Sequence, residues 1–323
     1  MNNFLTLLKK SVAKMLVSNV LMIFGALALL SNSVSAQSES VKLDYFSLAL
    51  ANQDEKPKAM FFFQEVLGAN LMTNNDQNIY EFELPNSPVI RVFKKEKPEP
   101  NATCNYNKSV ENWGSCINSY GLAWIVVSTS DLKRTAKELK AAGYPVKYSK
   151  SMLPDEPTTE VLITSPFNNQ LFLFVQRENV SSSTCKIENI HLVVENLKKS
   201  IGFYSDTMGA SDIEYVSDVC AKVQIGGQNF ILAEPEGLLL EPAQFNNGTT
   251  NEASVIKEHF GFLFNDFEQG IYAINGKGYY FKNSPQPQYR DNKHSHFSNG
   301  QILSPDGLVI DLGDMTVSRY SRQ

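Results

Sequence analysis

Apolar residues recur at helical spacing in several short windows of this chain, and each window gives way to apolar runs bounded by turn residues. Leu132, Ala136 and Leu139 mark one stripe, Leu197, Ile201 and Met208 a second, and Phe267, Ile271 and Ile274 a third. This spacing predicts amphipathic helices over Ala59–Leu67, Leu132–Ala142, Leu197–Met208 and Phe267–Asn275. Gly68, Gly143, Gly209 and Gly276 follow them at intervals of 75, 66 and 67 residues. A glycine there supplies a left-handed helix cap at little steric cost. A closing strand follows each helix after turn residues: Pro88–Phe93 after Asn86-Ser87, Leu171–Val175 after Ser165-Pro166, Asn229–Ala233 after Gly226-Gly227, and Leu308–Leu312 after Ser304-Pro305-Asp306-Gly307. The chain therefore reads as four copies of one β-α-β-β-β module, near residues 42–95, 120–176, 186–235 and 257–315, in an α+β fold.

Strand alternation then separates side chains that pack from side chains that face away. In His259-Phe-Gly-Phe-Leu-Phe264 the three phenylalanines share one face, leaving His259 on the other. In Leu308-Val-Ile-Asp-Leu312 the apolar set leaves Asp311 opposite, and His191 shares a face with Val193. A carboxylate in an apolar strand is costly unless it is paired or bound to a cation. Two imidazoles and a carboxylate form a ligand set for a divalent metal, Fe(II) first, with Mn or Zn also acceptable. Each residue alone has a plainer reading, a core histidine or an aspartate bonded to backbone. His294 and His296, in Lys293-His-Ser-His296, would titrate near neutral pH if solvated, so either can serve as a base or simply sit in an exposed loop.

The strings His191-Leu-Val-Val-Glu-Asn-Leu, Phe203-Tyr204 with Met208-Gly209-Ala210, and Ser304-Pro-Asp-Gly-Leu-Val-Ile-Asp311 resemble the vicinal oxygen chelate superfamily. That group includes glyoxalase I, bleomycin-resistance proteins and extradiol dioxygenases. The resemblance implies two glyoxalase-like domains, each a pair of modules whose curved mixed sheet surrounds a cavity. The polar stretch Arg177–Thr184 divides them into 37–178 and 179–323. It also implies metal ligands on first and last strands, where His191, His259 and Asp311 match, although the family usually carries Glu at the last position. Leu232 stands near the acidic position of the third module, against a four-ligand glyoxalase centre. Phe46, Trp124 and Phe172 stand at the positions of the first domain, which is expected to hold no metal. An acid–base histidine belongs near His294 and His296, but the family's tyrosine position reads Gln301 and a second histidine of the third module is absent. The implied function is metal-dependent action, oxygenation foremost, on a small oxygen-chelating molecule. The alternative is non-catalytic binding or sequestration of such a ligand.

Composition places these modules in an exported globular protein. The chain has 323 residues, 42% hydrophobic and 20% charged, enough for two domains with real cores. Lys9, Lys10 and Lys14 precede an apolar run from Met15 to Leu30, and Ser33-Val34-Ser35-Ala36 follows. This is the pattern of a signal peptide, residues 1–36, cleaved before Gln37. The run is shorter than the roughly 20 residues a membrane-spanning helix needs. Cleavage takes the formal charge from −5 to −8, because residues 1–36 hold three lysines and no acid. A secreted or periplasmic protein of that charge is a poor partner for nucleic acid or for an anionic membrane. Cys104, Cys116, Cys185 and Cys220 are an even set, so disulfides are expected in an oxidising compartment. Three pairings are possible, one of them joining Cys104 to Cys116 and Cys185 to Cys220.

Overall fold

Helix-capping chemistry sets the local structure of each module. Asp131 accepts from the backbone amides of Lys133 and Arg134 at 2.9 and 3.0 Å, Asn196 from Lys199 at 2.9 Å, and Asp266 from Gln269 at 2.9 Å. These side chains satisfy donors that the first helical turn leaves open. In the computed structural model the helices are α1 (Lys56–Phe61, continued by a π-helical turn, Phe62–Val66), α2 (Leu132–Ala141), α3 (Leu197–Met208) and α4 (Phe267–Gly276). Gly209 closes α3 in the left-handed conformation, as expected. The last helix differs: Gly276 stays helical and Gly278, with φ of 82°, takes the left-handed turn.

The structure describes residues 41–50, 55–72, 79–94, 117, 120–150, 152–166, 170–180, 185–240, 259–283, 287–290, 294–297 and 300–315, with side chains at 94, 287–290 and 294–297 not described. The signal-like segment 1–36, Cys104 and Cys116 lie outside these residues. Among the described residues no helix is long and apolar enough to cross a membrane.

The strands form two open, mixed, eight-stranded sheets. The first holds β1 (Val41–Leu50), β2 (Asn70–Met72), β3 (Ile79–Glu83) and β4 (Val89–Lys94) of the first module. It also holds β13 (His259–Phe264), β14 (Phe281–Asn283), β17 (Gly300–Leu303) and β18 (Val309–Asp314) of the fourth. The second sheet holds β5 (Gly121–Thr129), β6 (Val146–Ser149), β7 (Val161–Thr164) and β8 (Leu171–Gln176), joined to β9 (Lys186–Val193), β10 (Ser211–Ser217), β11 (Cys220–Ile225) and β12 (Gln228–Ala233). A separate hairpin comprises β15 (Pro287–Arg290) and β16 (His294–Phe297).

This pairing departs from the expected one. Modules were expected to pair with their sequence neighbours inside 37–178 and 179–323, but the first pairs with the fourth and the second with the third. The connection after β8 is short, so β9 returns directly alongside β5 as an antiparallel neighbour. Arg177 fixes that return: its amide donates to the Thr129 carbonyl at 2.8 Å and its guanidinium grips Glu188 and Glu156. β4 and β5 lie in different sheets, as do β12 and β13, and β1 meets β13 from Val41 opposite Phe264 to Phe46 opposite Phe260.

The two sheets turn their helix-bearing faces toward one continuous core. Phe62 lies 4.8 Å from Phe172 of the second sheet, Phe63 stacks 4.7 Å from Phe82 of the first, and Phe230 and Phe260 meet across the sheets at 5.8 Å. Burying such a ring fully is worth roughly 1.5–3 kcal/mol. Backbone bonds add to the join, from Leu43 to the Gly226 carbonyl at 2.8 Å and from Cys185 to that of Leu67 at 3.0 Å. Cys185 belongs to this core whereas Cys220 belongs to the cluster on the opposite face of the second sheet. Both are free, buried thiols, so the disulfides expected of the cysteine set are not formed at either, the possible Cys185–Cys220 pairing included.

Candidate functional site

The faces turned away from the helices differ sharply. On the second sheet this face is largely apolar and buried: Trp124, Val126, Leu173 and Ile231 pack in one cluster with Met152, Leu153, Leu238 and Leu240. On the first sheet it carries a row that crosses seven strands, with a polar side chain on six of them and Gly261 on the seventh. The strand register aligns Glu81 with Arg91, Tyr45 with Gly261, Gly261 with Asp311, Asp311 with Gln301, and Gln301 with Asn283.

Asp311 is the centre of that row. Its Oδ2 accepts from the Tyr45 hydroxyl and its Oδ1 from Gln301 Nε2 at 2.7 Å, while His259 Nδ1 lies 3.5 Å from Oδ2. Burial pushes the Asp311 carboxyl up, but the bonds from His259, Tyr45 and Gln301 outweigh it and hold the group below its ordinary range. Burial, together with the Asp311 charge, pushes the Tyr45 phenol well up, so it stays a donor. Tyr45 reaches across β13 because residue 261 is glycine: a Cβ there would lie 2.1 Å from the tyrosine ring. Asn283 donates in turn to Gln301 Oε1 at 2.5 Å. On the other side Arg91 donates through Nε to Glu81 Oε1 at 2.7 Å, and its guanidinium carbon sits 3.5 Å above the Tyr45 ring, a cation–π contact. His259 and Asp311 remain 27% and 22% exposed at their side chains, so the row offers its chemistry to solvent.

The structure brings two of the three expected ligands together. His259 and Asp311 are neighbours, but His191 lies on the other sheet, fully buried, its ring 5.3 Å from Trp124. Neither of its nitrogens has a hydrogen-bond partner, and burial lowers its pKa to about 3. The helix caps show why the three residues do not converge. Five residues before Asn196 stands His191, whereas five before Asp266 stands Gly261. His191 faces Ile231 across its parallel pair as Gly261 faces Asp311. The repeat equivalent of His191 is therefore Gly261, two residues from His259, and the equivalent of Asp311 in the third module is Ile231 rather than Leu232. In the first two modules Trp124 does face away from the helices. Phe46 and Phe172 do not; they belong to the shared core, and Tyr45 takes the outward position on β1.

His294 and His296 occupy β16, opposite Arg290 and Gln288 on the hairpin that leads toward β17. Their side chains lie outside the described residues.

The donor set can be tested against the divalent ion that the family resemblance implies. His259 and Asp311 supply one imidazole and one carboxylate, and both Asp311 oxygens already accept protein hydrogen bonds. No group of three His, Cys, Asp or Glu side chains able to hold a metal occurs among the described residues. Arg91 adds a fixed positive charge above the Tyr45 ring. As arranged, these side chains do not fit a divalent-metal centre.

Sequence reasoning reached His259 and Asp311 but missed Tyr45, Arg91 and Glu81, and it read Gln301 only as a departure from a family pattern. Arg91 carried the same signal as Asp311, a charge inside the apolar strand Val89-Ile-Arg-Val-Phe93.

Comparisons with known proteins agree with this architecture. The model of the Glyoxalase/Bleomycin resistance protein/Dioxygenase superfamily matches residues 44–171 and 186–312. A search of curated proteins finds no match. Among solved structures, glyoxalase I from Zea mays is 14% identical, covering 86% of this chain and 93% of its own, with a TM-score of 0.57. A mutant of the same maize enzyme superposes over 90% of this chain and 99% of its own at 15% identity and a TM-score of 0.60. A proposed dioxygenase from Bacillus subtilis subsp. subtilis str. 168 is 14% identical, covering 85% of this chain and 86% of its own, with a TM-score of 0.52. At these identities the likeness speaks for the fold.

Proposed function

The chain belongs to the Glyoxalase/Bleomycin resistance protein/Dioxygenase superfamily, and on that footing we propose that it is an exported small-molecule-binding protein. Its working surface is the face of the first sheet around Asp311. The observation that carries this reading is the contrast between the two sheets: one face is packed under leucines and methionine, while the other presents a hydrogen-bonded polar row that is accessible at its centre, at His259 and Asp311. A polar row of this kind orients a ligand, because its donors and acceptors are held in place by one another. Export rests on the charged-then-apolar pattern of residues 1–36.

Oxygenation at a two-histidine, one-carboxylate centre is the reading it displaces. That reading needs His191 beside His259 and Asp311, and His191 packs against Trp124 on the other sheet instead. Binding without turnover needs only the row as it stands.

The test is chemical-shift mapping of the mature protein with a library of small hydroxy and keto compounds. Binders should move the resonances of Tyr45, His259, Gln301 and Asp311. Shifts confined to Trp124, Met152 and Leu238 would move the site to the second sheet and overturn the proposal. Stoichiometric oxygen consumption with any of these compounds would restore the oxygenase reading.

A further inference from the structure

The Arg91 guanidinium is held from two directions yet leaves its best donors unspent. Nε is committed to Glu81 at 2.7 Å and the plane's carbon rests 3.5 Å over the Tyr45 ring. The terminal Nη1 and Nη2 groups donate to no described residue, and the side chain is 19% exposed. A guanidinium held in this way pays little further conformational entropy to bind, and its two terminal amino groups match the geometry of a carboxylate. One tyrosine ring away stands the Asp311–His259 pair, since the Tyr45 hydroxyl beneath Arg91 donates to Asp311. Phe93 shares the Arg91 face of β4 by strand alternation, and its ring lies 6.5 Å from that of His259, adding an aromatic surface between the two polar ends.

We propose that Arg91 is the anion-reading residue of this face, taking the carboxylate of a small, planar organic acid whose far end meets His259 and Asp311. The assignment rests on the binding reading above and narrows it to a ligand class. Charge favours a monoanion. Glu81 already sits on the guanidinium and Asp311 lies beyond the Tyr45 hydroxyl, so a doubly charged phosphate would meet more repulsion than a monoanion. Phe93 and His259, side by side with ring centroids 6.5 Å apart, give a flat acid an aromatic edge to pack against.

The experiment titrates the full mature chain with benzoate, 4-hydroxybenzoate and pyruvate, with benzamide and inorganic phosphate as controls, read by calorimetry and thermal shift. Saturable binding of at least one acid is expected, with benzamide and phosphate weaker by about tenfold or more, as one lost charge-assisted fork contact implies. Arg91→Lys, which keeps the charge but loses the fork, should weaken the acid about tenfold. Because the buried Glu81 carboxylate accepts from Arg91 Nε, the charge-free variant is the double substitution Arg91→Gln with Glu81→Gln, which keeps a donor opposite an acceptor. Acid binding should be lost in that variant while its melting temperature stays near that of wild type. His259→Ala should weaken the hydroxybenzoate more than the benzoate. The proposal is overturned if the acids bind the double variant as tightly as wild type, or if none of them saturates. Neutral hydroxy or keto compounds that still shift Gln301 and Asp311 would then leave the binding reading intact. Ligand shifts only on the Trp124 face would remove both.

Discussion

The Tyr45 hydroxyl donates to the Asp311 carboxylate directly over Gly261, although 266 residues separate the bonded pair in the chain. The bond joins the first module to the fourth and depends on a strand position with no side chain. Gly261→Ala should drive the tyrosine ring out of place, costing about 1–3 kcal/mol as an overpacked core site does. Tyr45→Phe removes one donor from a half-buried carboxylate and should cost about 1–2 kcal/mol. Urea unfolding of both variants checks the order. Wild-type stability in Gly261→Ala would mean that the ring does not cross β13 at that point.

His191 should make the protein sensitive to mild acid. Its ordinary pKa of 6.5 is lowered to about 3 in the folded chain by burial. As pH falls below 6.5 the unfolded chain takes up a proton that the folded chain refuses, so stability declines through the window down to about 3. At pH 5 the loss amounts to about 2 kcal/mol. His191→Leu should flatten that part of the profile, because an apolar side chain of similar volume replaces an unsatisfied imidazole. Stability curves for wild type and variant between pH 7 and 4 measure the difference. Metal analysis of the same two samples should give equal contents, and a loss in the variant would return His191 to a ligand role.

The two described cysteines should be chemically quiet until the protein unfolds. Burial pushes the Cys185 thiol up to about 11 and the Cys220 thiol up to about 12, so little of either is thiolate at neutral pH. Alkylation followed by peptide mass mapping should label neither in native protein and both in denaturant. A recovered Cys185–Cys220 linked peptide would contradict the placement of the two residues on opposite sides of the second sheet.

Cutting the chain between its sequence halves should not yield independent domains. Residues 37–178 contain β1 without β13, and β5 without β9, leaving the edges of both half-sheets uncovered beside exposed phenylalanines. Expressed alone this piece should aggregate or lack a cooperative melt, whereas co-expression with 179–323 should recover a folded complex. A monomeric first half with a sharp melt would show that its modules can pair with each other.

How much of this was open to inspection in the residues themselves can be judged element by element. The helix Leu197–Met208 was predicted at its observed bounds: Gly209 marked its end, and the structure shows Asn196 capping its start. The first helix was placed late, since Pro57 at its start does not show in an apolar count and its last turn widens into a π-helix. Asp311 and His259 were found because isolated polar residues stand out against alternating apolar ones. Tyr45 was passed over in favour of Phe46 because β1 is apolar on both sides and carries a bulge between Leu43 and Tyr45, which blurs the alternation. The mistake over His191 was avoidable: measuring from the helix caps exposes the two-residue offset that overall repeat spacing hides. Which modules share a sheet was not legible, because no local pattern records where a long connection carries the chain.

The nested pairing of modules also orders the assembly of the protein in time. The second sheet is drawn from a single contiguous span, residues 121–233, and its central pair closes over a short return at Arg177. The first sheet must wait until β13 and β18 are available to β1, a closure across more than two hundred residues whose entropic cost is met only when both ends are present. For a chain that emerges from its amino end, the inner sheet can therefore form while Tyr45 is still without Asp311. Tyr45 reaches Asp311 only once β18 is in place, so completing the first sheet and assembling the proposed binding face are one event.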